Sequence, residues 1–159
     1  MKKYNILFLC THNSARSVLG EAIASMHSSG KFVGYSAGSK PGNSVNPFAR
    51  ELALKIGYDE SLLRSKSWDE YGLPDAPKMD FIITVCDNAA GETCPYWPGQ
   101  PATAHWGFPD PSQAQGTDED KRRAFKEVMI GLKKRIDLLA DMPFEQLNSL
   151  SLQEIHNKS

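Results

Sequence analysis

Two short apolar runs in the sequence are each followed directly by a cysteine. Residues 6–9 read Ile-Leu-Phe-Leu before Cys10, and residues 81–85 read Phe-Ile-Ile-Thr-Val before Cys86. Both runs are apolar on nearly every residue, which is typical of strands buried on both faces in a parallel sheet. Since the carboxyl ends of parallel strands meet at one edge of the sheet, we expect Cys10 and Cys86 to approach each other there.

Further strands and helices alternate along the chain. Additional strands are predicted at residues 32–38 and, more weakly, at 103–106. Stretches with apolar side chains at helical spacing cover residues 17–26, 47–56 and 117–142, and a short helical tail follows. Such alternation implies right-handed crossovers between parallel strands. The sequence therefore predicts a single α/β domain over residues 1–159, a three-layer sandwich whose central, mainly four-stranded parallel sheet is flanked by helices.

The charge balance excludes several classes of partner. The 159 residues carry 18 basic and 19 acidic side chains, a formal net charge of −1. Nucleic-acid and anionic-membrane partners require a basic surface, so neither is expected. No apolar run is long enough to span a membrane, and the residues before Cys10 resemble a strand rather than a signal peptide. We expect a cytoplasmic monomer whose three cysteines stay reduced and serve catalysis, redox chemistry or metal binding.

The segment between the first strand and the first helix can bind an anion. Its backbone amides and the helix N-terminus can converge on one tetrahedral oxyanion. Those amides belong to Thr11, His12, Asn13, Ser14 and Ala15. Arg16 can clamp the anion through two parallel hydrogen bonds, and the same positive field lowers the pKa of the Cys10 thiol, which predicts a thiolate nucleophile. The simpler alternative is a buried structural cysteine beside a surface arginine.

A second group of functional residues is predicted in the loop after the fourth strand. Residues 106–111 read Trp-Gly-Phe-Pro-Asp-Pro, a sequence that can hold the Asp110 carboxyl rigidly at the mouth of a cleft. A carboxylic acid there can protonate the oxygen that leaves when a thiolate attacks. The alternative is an ordinary turn, because Asp, Pro and Gly are common turn residues.

Cys86 and Cys94 allow two interpretations. One is a metal site completed by His12 or His105, although the spacing is wide for zinc. The other is thiol–disulfide exchange. A helix between the two cysteines would separate them by about 12 Å along its axis, at ~1.5 Å per residue. A disulfide needs Cα atoms within roughly 7 Å, so exchange predicts that the segment changes its order when the Cys86–Cys94 bond forms.

The string over residues 8–17, Phe-Leu-Cys-Thr-His-Asn-Ser-Ala-Arg-Ser, resembles the anion-binding loop of arsenate reductases with the low-molecular-weight protein tyrosine phosphatase fold. The resemblance extends over most of the chain and implies that fold. Cys10 matches the nucleophile of those enzymes, and Arg16 matches their anion-binding arginine. Ser17 matches the hydroxyl that stabilises the thiolate, and Asn13 matches the asparagine that rigidifies the loop.

The same resemblance implies a mechanism. Asp110 corresponds to the general acid, and Cys86 and Cys94 correspond to the second and third cysteines of a disulfide relay. Arsenate would add to the Cys10 thiolate and leave as arsenite when a Cys10–Cys86 disulfide forms. Cys94 would then take over the disulfide, for reduction by thioredoxin or by glutaredoxin and glutathione. This chemistry requires no metal or organic cofactor.

Two other functions remain open from the sequence. A protein tyrosine phosphatase would form a phosphocysteine at Cys10 and would give the other two cysteines no role; weak activity of this kind can accompany arsenate reduction. The phosphatases usually place tyrosine after their Asp-Pro pair, whereas Ser112 and Gln113 follow here, which weakens phosphotyrosine as a substrate. A thiol-based redox sensor or an oxyanion-binding module is the non-enzymatic alternative.

Some of the arsenate reductases that the chain resembles bind potassium beside the loop asparagine. Asn13, Glu21 and Ser36 match that site in kind. The acidic member of the site does not align, because Ser67 falls at its position and Asp69 lies two residues further on. The resemblance thus implies a potassium site at the three matching residues. The alternative is that Glu21 is a solvated helix residue.

Overall fold

The computed structural model of the chain describes residues 3–42, 44–85, 101–142 and 149–157. Four strands form a sheet, namely β1 (Tyr4–Cys10), β2 (Phe32–Gly38), β3 (Phe81–Thr84) and β4 (Ala102–His105). Their order across the sheet is β2-β1-β3-β4, and every neighbouring pair is parallel. The carboxyl ends of all four strands therefore meet at one edge. The predicted α/β fold around a four-stranded parallel sheet is confirmed.

The described residues contain the α-helices α1 (Arg16–Ser25), α2 (Pro47–Lys55), α3 (Asp118–Ala140) and α4 (Ser149–Asn157). Local sequence explains where two of them begin. Asn46 accepts a hydrogen bond from the Phe48 amide at the start of α2, and Pro47 suits the first helical position. Thr117 and Asp120 form a capping box at the start of α3. None of the helices within the described ranges is both long and apolar enough to cross a membrane.

β1 is apolar on both faces because both faces of the sheet are covered. Ile6 and Phe8 belong to a core cluster that takes in side chains from all four helices. Leu7 and Leu9 belong to a second cluster on the opposite face. Within the described residues, that second face is closed by a short 3₁₀ helix, Trp68–Gly72, rather than by an α-helix. The two clusters fill the two interfaces between the three layers that the sequence predicts.

The exposed edge of β4 is closed by a side chain of α4. The Gln153 amide donates to the His105 carbonyl oxygen at 2.7 Å and accepts from the His105 amide at 2.8 Å. It thereby pairs the backbone groups that a further strand would otherwise bind. The Trp106 indole N–H also donates to the Leu152 carbonyl oxygen at 2.9 Å. The C-terminal helix thus fixes the start of the loop that carries Asp110, a role that the sequence did not reveal.

The close packing of α1 on the sheet leaves no space for a side chain at Gly20. A Cβ atom at this position would lie 2.6 Å from Cγ of Phe8, in the fully buried core. We expect Gly20→Ala to lower the free energy of unfolding by about 1 to 3 kcal/mol, because overpacking outweighs the better helix propensity of alanine. Urea unfolding measures the loss. Gly42→Ala is the matched control, since its nearest atom would be the His12 oxygen at 3.8 Å; equal stability of the two variants would contradict this packing.

Candidate active site

The loop after β1 turns its carbonyl oxygens outward. The Thr11 oxygen accepts from the Lys40 amide, the His12 oxygen from the Gly42 amide and the Ser14 oxygen from the Asn46 amide, at 2.8 to 3.0 Å. Since the C=O and N–H of a trans peptide point in opposite directions, the amides that follow these carbonyls face the inside of the loop. The loop leads directly into the N-terminus of α1 at Arg16. These inward amides and the helix N-terminus make a cradle for a tetrahedral anion.

Gly38 lies beneath this cradle and leaves no room for a side chain. It pairs with Cys10 across β1 and β2. A Cβ atom here would lie 2.5 Å from the Thr11 oxygen and 2.9 Å from the Asn13 nitrogen. The close approach between two backbones requires glycine, and no local pattern in the sequence identified this requirement.

Asn13 and Ser17 form a hydrogen-bonded relay that ends on the Cys10 sulfur. The Asn13 side-chain amide donates from Nδ2 to Ser17 Oγ at 2.9 Å, and Ser17 Oγ lies 2.8 Å from Cys10 Sγ. Because Nδ2 can only donate, the Ser17 oxygen accepts there, and its own hydrogen is left to donate to a Cys10 thiolate, which can only accept. A hydrogen bond to sulfur favours the thiolate over the thiol. Cys10 itself is only 4% exposed.

Asn13 adopts the conformation that this relay needs. Its φ of 49° lies in the left-handed region, where asparagine is among the few tolerated residues. Its side-chain oxygen accepts from the Lys66 amide at 2.9 Å. The asparagine is therefore held on both sides, by the backbone of a distant segment and by the Ser17 hydroxyl.

Arg16 links the anion loop to the loop that contains Asp110. Its Nη1 donates to the Phe108 carbonyl oxygen at 2.8 Å, and its Nη2 lies 3.6 Å from Asp110 Oδ2. The structure thus brings the predicted anion-binding arginine and the predicted general acid together. The Phe108 ring is itself held, because the Arg135 guanidinium lies 4.6 Å above its centroid.

The Asp110 carboxyl is stabilised in its ionised form. Burial raises the pKa of Asp110, but hydrogen bonds from the Ser112 hydroxyl and amide, together with the charge of Arg16, outweigh that effect and hold the pKa below its usual value. The two Ser112 hydrogen bonds to Oδ1 measure 2.7 and 2.9 Å. Ser112, which the sequence marked only as a departure from the phosphatases, therefore positions the acid.

The side chains of Glu21 and Ser36 contact each other, and the ammonium of Lys66 contacts both. Glu21 is 5% exposed and accepts hydrogen bonds from the Ser36 and Tyr58 hydroxyls. Lys66 Nζ lies 3.4 Å from Glu21 Oε1 and 3.4 Å from Ser36 Oγ. The alternative that Glu21 is a solvated helix residue is therefore wrong. Ser67 stays outside this cluster, because its hydroxyl accepts from the Asp69 amide.

Burial and charge act on the groups around Glu21. Burial lowers the pKa of Lys66, while the neighbouring Glu21 partly offsets this effect. Burial and the charge of Glu21 raise the pKa of Tyr58. Lys66 was not among the residues predicted from the sequence, because the resemblance indicated an acidic residue in this segment.

Two of the predicted site residues, Cys86 and Cys94, lie outside the described residues. Their approach to Cys10 and the order change between them therefore stay predictions. The alternative metal site also remains untested; in the part of the chain that is described, no group of three or more His, Cys, Asp or Glu side chains is arranged to hold a metal ion. His12 Nδ1 contacts the Lys40 carbonyl oxygen, and His105 Nδ1 contacts Thr84 Oγ1.

Comparison with known proteins agrees with this fold. The family model for low molecular weight phosphotyrosine protein phosphatases matches residues 5–152. An arsenate reductase of Halalkalibacterium halodurans is 38% identical over 141 residues, which cover 89% of this chain and 98% of that protein. The crystal structure of an arsenate reductase from Archaeoglobus fulgidus has 28% identity and a TM-score of 0.59, covering 83% of this chain and 98% of that chain. A structure of an arsenate reductase in the intermediate state has 26% identity and a TM-score of 0.65, with 86% and 96% covered.

The Ser17 hydroxyl provides a test of the relay. We expect Ser17→Ala to raise the pKa of the Cys10 thiol, because the thiolate loses a hydrogen bond. Such bonds to charged groups contribute about 1.5 to 3 kcal/mol, so the rate of alkylation below the pKa should fall about tenfold or more. Iodoacetamide rates are measured against pH with Cys86 and Cys94 replaced by serine, which leaves Cys10 as the only thiol of the three in the sequence.

Ser25→Ala is the matched control for Ser17→Ala. The Ser25 hydroxyl also anchors α1, but it bonds the Gly34 backbone and contacts none of Asn13, Ser17 and Cys10 through the hydrogen bonds that the structure shows for it. It should leave the alkylation profile unchanged. An unchanged profile for Ser17→Ala would contradict the relay.

The lowered pKa of Asp110 predicts a pH-dependent contribution to stability. A carboxyl whose pKa is lower in the folded than in the unfolded protein stabilises the fold above its unfolded pKa, and this contribution disappears as the pH falls through the folded pKa. The stability advantage of the wild type over Asp110→Asn should therefore be constant from neutral pH down to about 5 and shrink below about 4. Urea unfolding at a series of pH values measures it.

Ser112→Ala separates the two sources of this effect. It removes the hydroxyl hydrogen bond but keeps the Arg16 contact, so the folded pKa of Asp110 should rise toward its unfolded value. The pH-dependent advantage should then be smaller, and its loss on acidification should be complete at a higher pH than in the wild type, while the pH at which the loss begins, set by the unfolded pKa, stays the same. An advantage over Asp110→Asn that does not change with pH would be inconsistent with the lowered pKa.

Proposed function

The chain belongs to the low molecular weight phosphotyrosine protein phosphatase family, and within it we propose that this protein reduces arsenate to arsenite. The observation that carries the proposal is the Cys10 sulfur, buried at the base of an amide cradle and hydrogen-bonded by Ser17. Support also comes from relatives of nearly the same length that are arsenate reductases.

Arsenate has the shape and charge of phosphate, so the same cradle accepts it. Arg16 turns from Phe108 and Asp110 to the bound anion, where its planar guanidinium binds two oxygens. Asp110 then loses its cationic neighbour and faces an anion instead. Both changes raise the pKa of its carboxyl, so anion binding prepares Asp110 to carry the proton that a general acid needs.

The first steps form and break a sulfur–arsenic bond. The Cys10 thiolate attacks the arsenic of hydrogen arsenate, and its hydroxyl group takes the proton of Asp110 and leaves as water. The Cys86 thiolate next attacks Cys10 Sγ. The electron pair of the sulfur–arsenic bond stays with arsenic, which leaves as arsenite, and a Cys10–Cys86 disulfide forms. Arsenic gains two electrons, and the two sulfurs lose them.

The remaining steps restore the site. Cys94 attacks Cys86, which releases Cys10 as a thiolate and leaves a Cys86–Cys94 disulfide. A cytoplasmic dithiol protein of the thioredoxin type, or glutaredoxin with glutathione, reduces that bond. No metal or organic cofactor takes part in these steps, and we propose that the cytoplasmic monomer carries them out.

The backbone before Cys86 supports the attack of Cys86 on Cys10. The Val85 amide donates to the Leu9 carbonyl oxygen at 2.9 Å, so the residues that precede Cys86 and Cys10 are paired. The Val85 oxygen in turn accepts from the Phe108 amide at 3.2 Å. The chain therefore leads into Cys86 from a position next to both the strand end that carries Cys10 and the loop that carries Asp110.

A phosphatase is the second candidate, because Cys10, Arg16 and Asp110 suffice for phosphocysteine chemistry. The position after Asp110-Pro111 offers no aromatic wall for a substrate ring, since Ser112 turns its hydroxyl to the Asp110 carboxylate. We therefore propose only weak phosphatase activity beside arsenate reduction.

Cysteine variants test the proposed disulfide relay during arsenate turnover. With thioredoxin as reductant, Cys86→Ser and Cys94→Ser should each lose arsenate turnover by about two orders of magnitude or more, because each lacks a nucleophile for one exchange step. Cys94→Ser should still release one arsenite per chain in a single turnover, whereas Cys10→Ser should release none. Arsenite release with thioredoxin, and in parallel with glutaredoxin and glutathione, is the measurement.

Hydrolysis of an aryl phosphate is the control, since it needs neither Cys86 nor Cys94. The two variants should retain whatever phosphatase activity the wild type has. If both variants reduced arsenate over multiple turnovers as fast as the wild type, the proposed disulfide relay would be contradicted. Absence of arsenate turnover by the wild type with either reductant, beside efficient aryl phosphate hydrolysis, would assign the protein to the phosphatases.

A further inference from the structure

The ammonium of Lys66 is surrounded by oxygen atoms inside the protein. Lys66 Nζ lies 3.1 Å from the Arg64 carbonyl oxygen and 3.4 Å from both Glu21 Oε1 and Ser36 Oγ. The lysine side chain is only 4% exposed. A carboxylate, a hydroxyl and a carbonyl oxygen are also the kinds of ligand that bind an alkali cation.

Potassium does not fit this cluster as it stands. Two of the three residues that match the potassium site, Glu21 and Ser36, are already engaged by Lys66. The third, Asn13, uses its side-chain amide for Ser17 and for the Lys66 backbone. A second cation would share one buried carboxylate with the ammonium, and the repulsion between two buried positive charges is large at low dielectric.

We infer that Lys66 is an internal cation that takes the place of potassium and positions the anion loop. This inference deepens the proposed function. Of the readouts that test it, only arsenate turnover depends on the proposed function being right. Lys66 is a positioning residue, because its side chain touches neither Cys10 nor the cradle.

The path from Lys66 to the sulfur is short. Its ammonium ties residues 64–66 to Glu21 on α1, while its own amide donates to Asn13 Oδ1 at 2.9 Å. Asn13 passes this restraint to Ser17, and Ser17 to the Cys10 sulfur. The Lys66 carbonyl oxygen also accepts from the Gly38 amide at 2.9 Å, directly below the loop. Loss of the ammonium therefore loosens the backbone that holds Asn13.

Ions can reach the cluster from solvent. A partly open cavity of about 570 Å³ is lined by Glu21, Tyr58, Arg64 and Lys66, among other residues. Shortening Lys66 to alanine would join the space of its ammonium to this cavity and would leave Glu21 Oε1, Ser36 Oγ and the Arg64 oxygen without their cation. The truncated protein is therefore expected to accept potassium.

The test compares wild type, Lys66→Ala and Lys66→Met in chloride salts of potassium, sodium and choline, at equal ionic strength of about 0.1 M. The readouts are the melting temperature and the rate of Cys10 alkylation near pH 6, with Cys86 and Cys94 replaced by serine. In choline, Lys66→Ala should melt at a lower temperature and alkylate about tenfold more slowly, as expected from one weakened hydrogen bond in the relay. Potassium should restore both readouts better than sodium does.

Lys66→Met fills the same space without charge, so it should show the defects without rescue by potassium. Lys31→Ala is the matched control, because Lys31 Nζ also donates to a carbonyl oxygen, that of Ala140 at 2.7 Å, far from the site. It should gain no dependence on potassium. Turnover should follow the same pattern, with a larger effect on kcat than on KM.

Two results would overturn the inference. One is a potassium-specific rise in the melting temperature of the wild type, which is measurable even when the variants fail to fold. The other is a Lys66→Ala protein that does not distinguish potassium from sodium. Melting and alkylation need no arsenate turnover, so a failure of the proposed function would leave potassium rescue intact and would be distinguishable from these results.

Discussion

The side-chain amide of Asn13 holds the reactive edge of the sheet together. It joins the Lys66 backbone on one side to the Ser17 hydroxyl on the other, and Ser17 completes the chain to the Cys10 sulfur. All of these groups are buried, and a buried polar group left without a partner is costly. The relay is therefore stable only as a whole, and the loop, the helix N-terminus and the segment near Lys66 must keep one arrangement.

The sheet supplies the fixed frame on which this relay is built. β1 ends at Cys10 between β2 and β3, and its apolar side chains are clamped from both faces. Gly38 lets the end of β2 come close enough to support the loop from below. A rigid strand end and a close backbone approach are the means by which a short loop can direct several amides at one point.

Much of this arrangement could be predicted from sequence, because it depends on local patterns. The apolar runs located β1 and β3, and the string over residues 8–17 identified the loop and its cysteine. Asn46 and Pro47 marked the start of α2 through side-chain capping and a fixed φ angle. Such signals act over a few residues and leave a trace in the sequence itself.

The residues that the sequence did not reveal act across long separations. Lys66 meets Glu21 over 45 positions, and Gln153 meets His105 over 48. Nothing next to Lys66 indicates that its ammonium is buried, since a lysine is most often exposed. The glycine requirement at position 38 likewise arises from the backbone at the end of β1 and in the loop that follows it. These contacts depend on the completed fold, which is why local patterns missed them.

The charges at the site show how a nearly neutral chain can attract an anion. The formal net charge is −1, yet Arg16 directly follows the anion loop at the start of α1 and pairs only loosely with Asp110, at 3.6 Å. This partly exposed pair is weak, because solvent screens it and its geometry is long. A dianion in the cradle offers Arg16 two oxygens and the helix N-terminus a full charge, so it competes well for the arginine. In the proposed reaction, this exchange of partners would remove the cation beside Asp110 at the moment when negative charge arrives. Substrate binding and protonation of the acid would then be coupled through a single arginine, without a net positive charge on the protein.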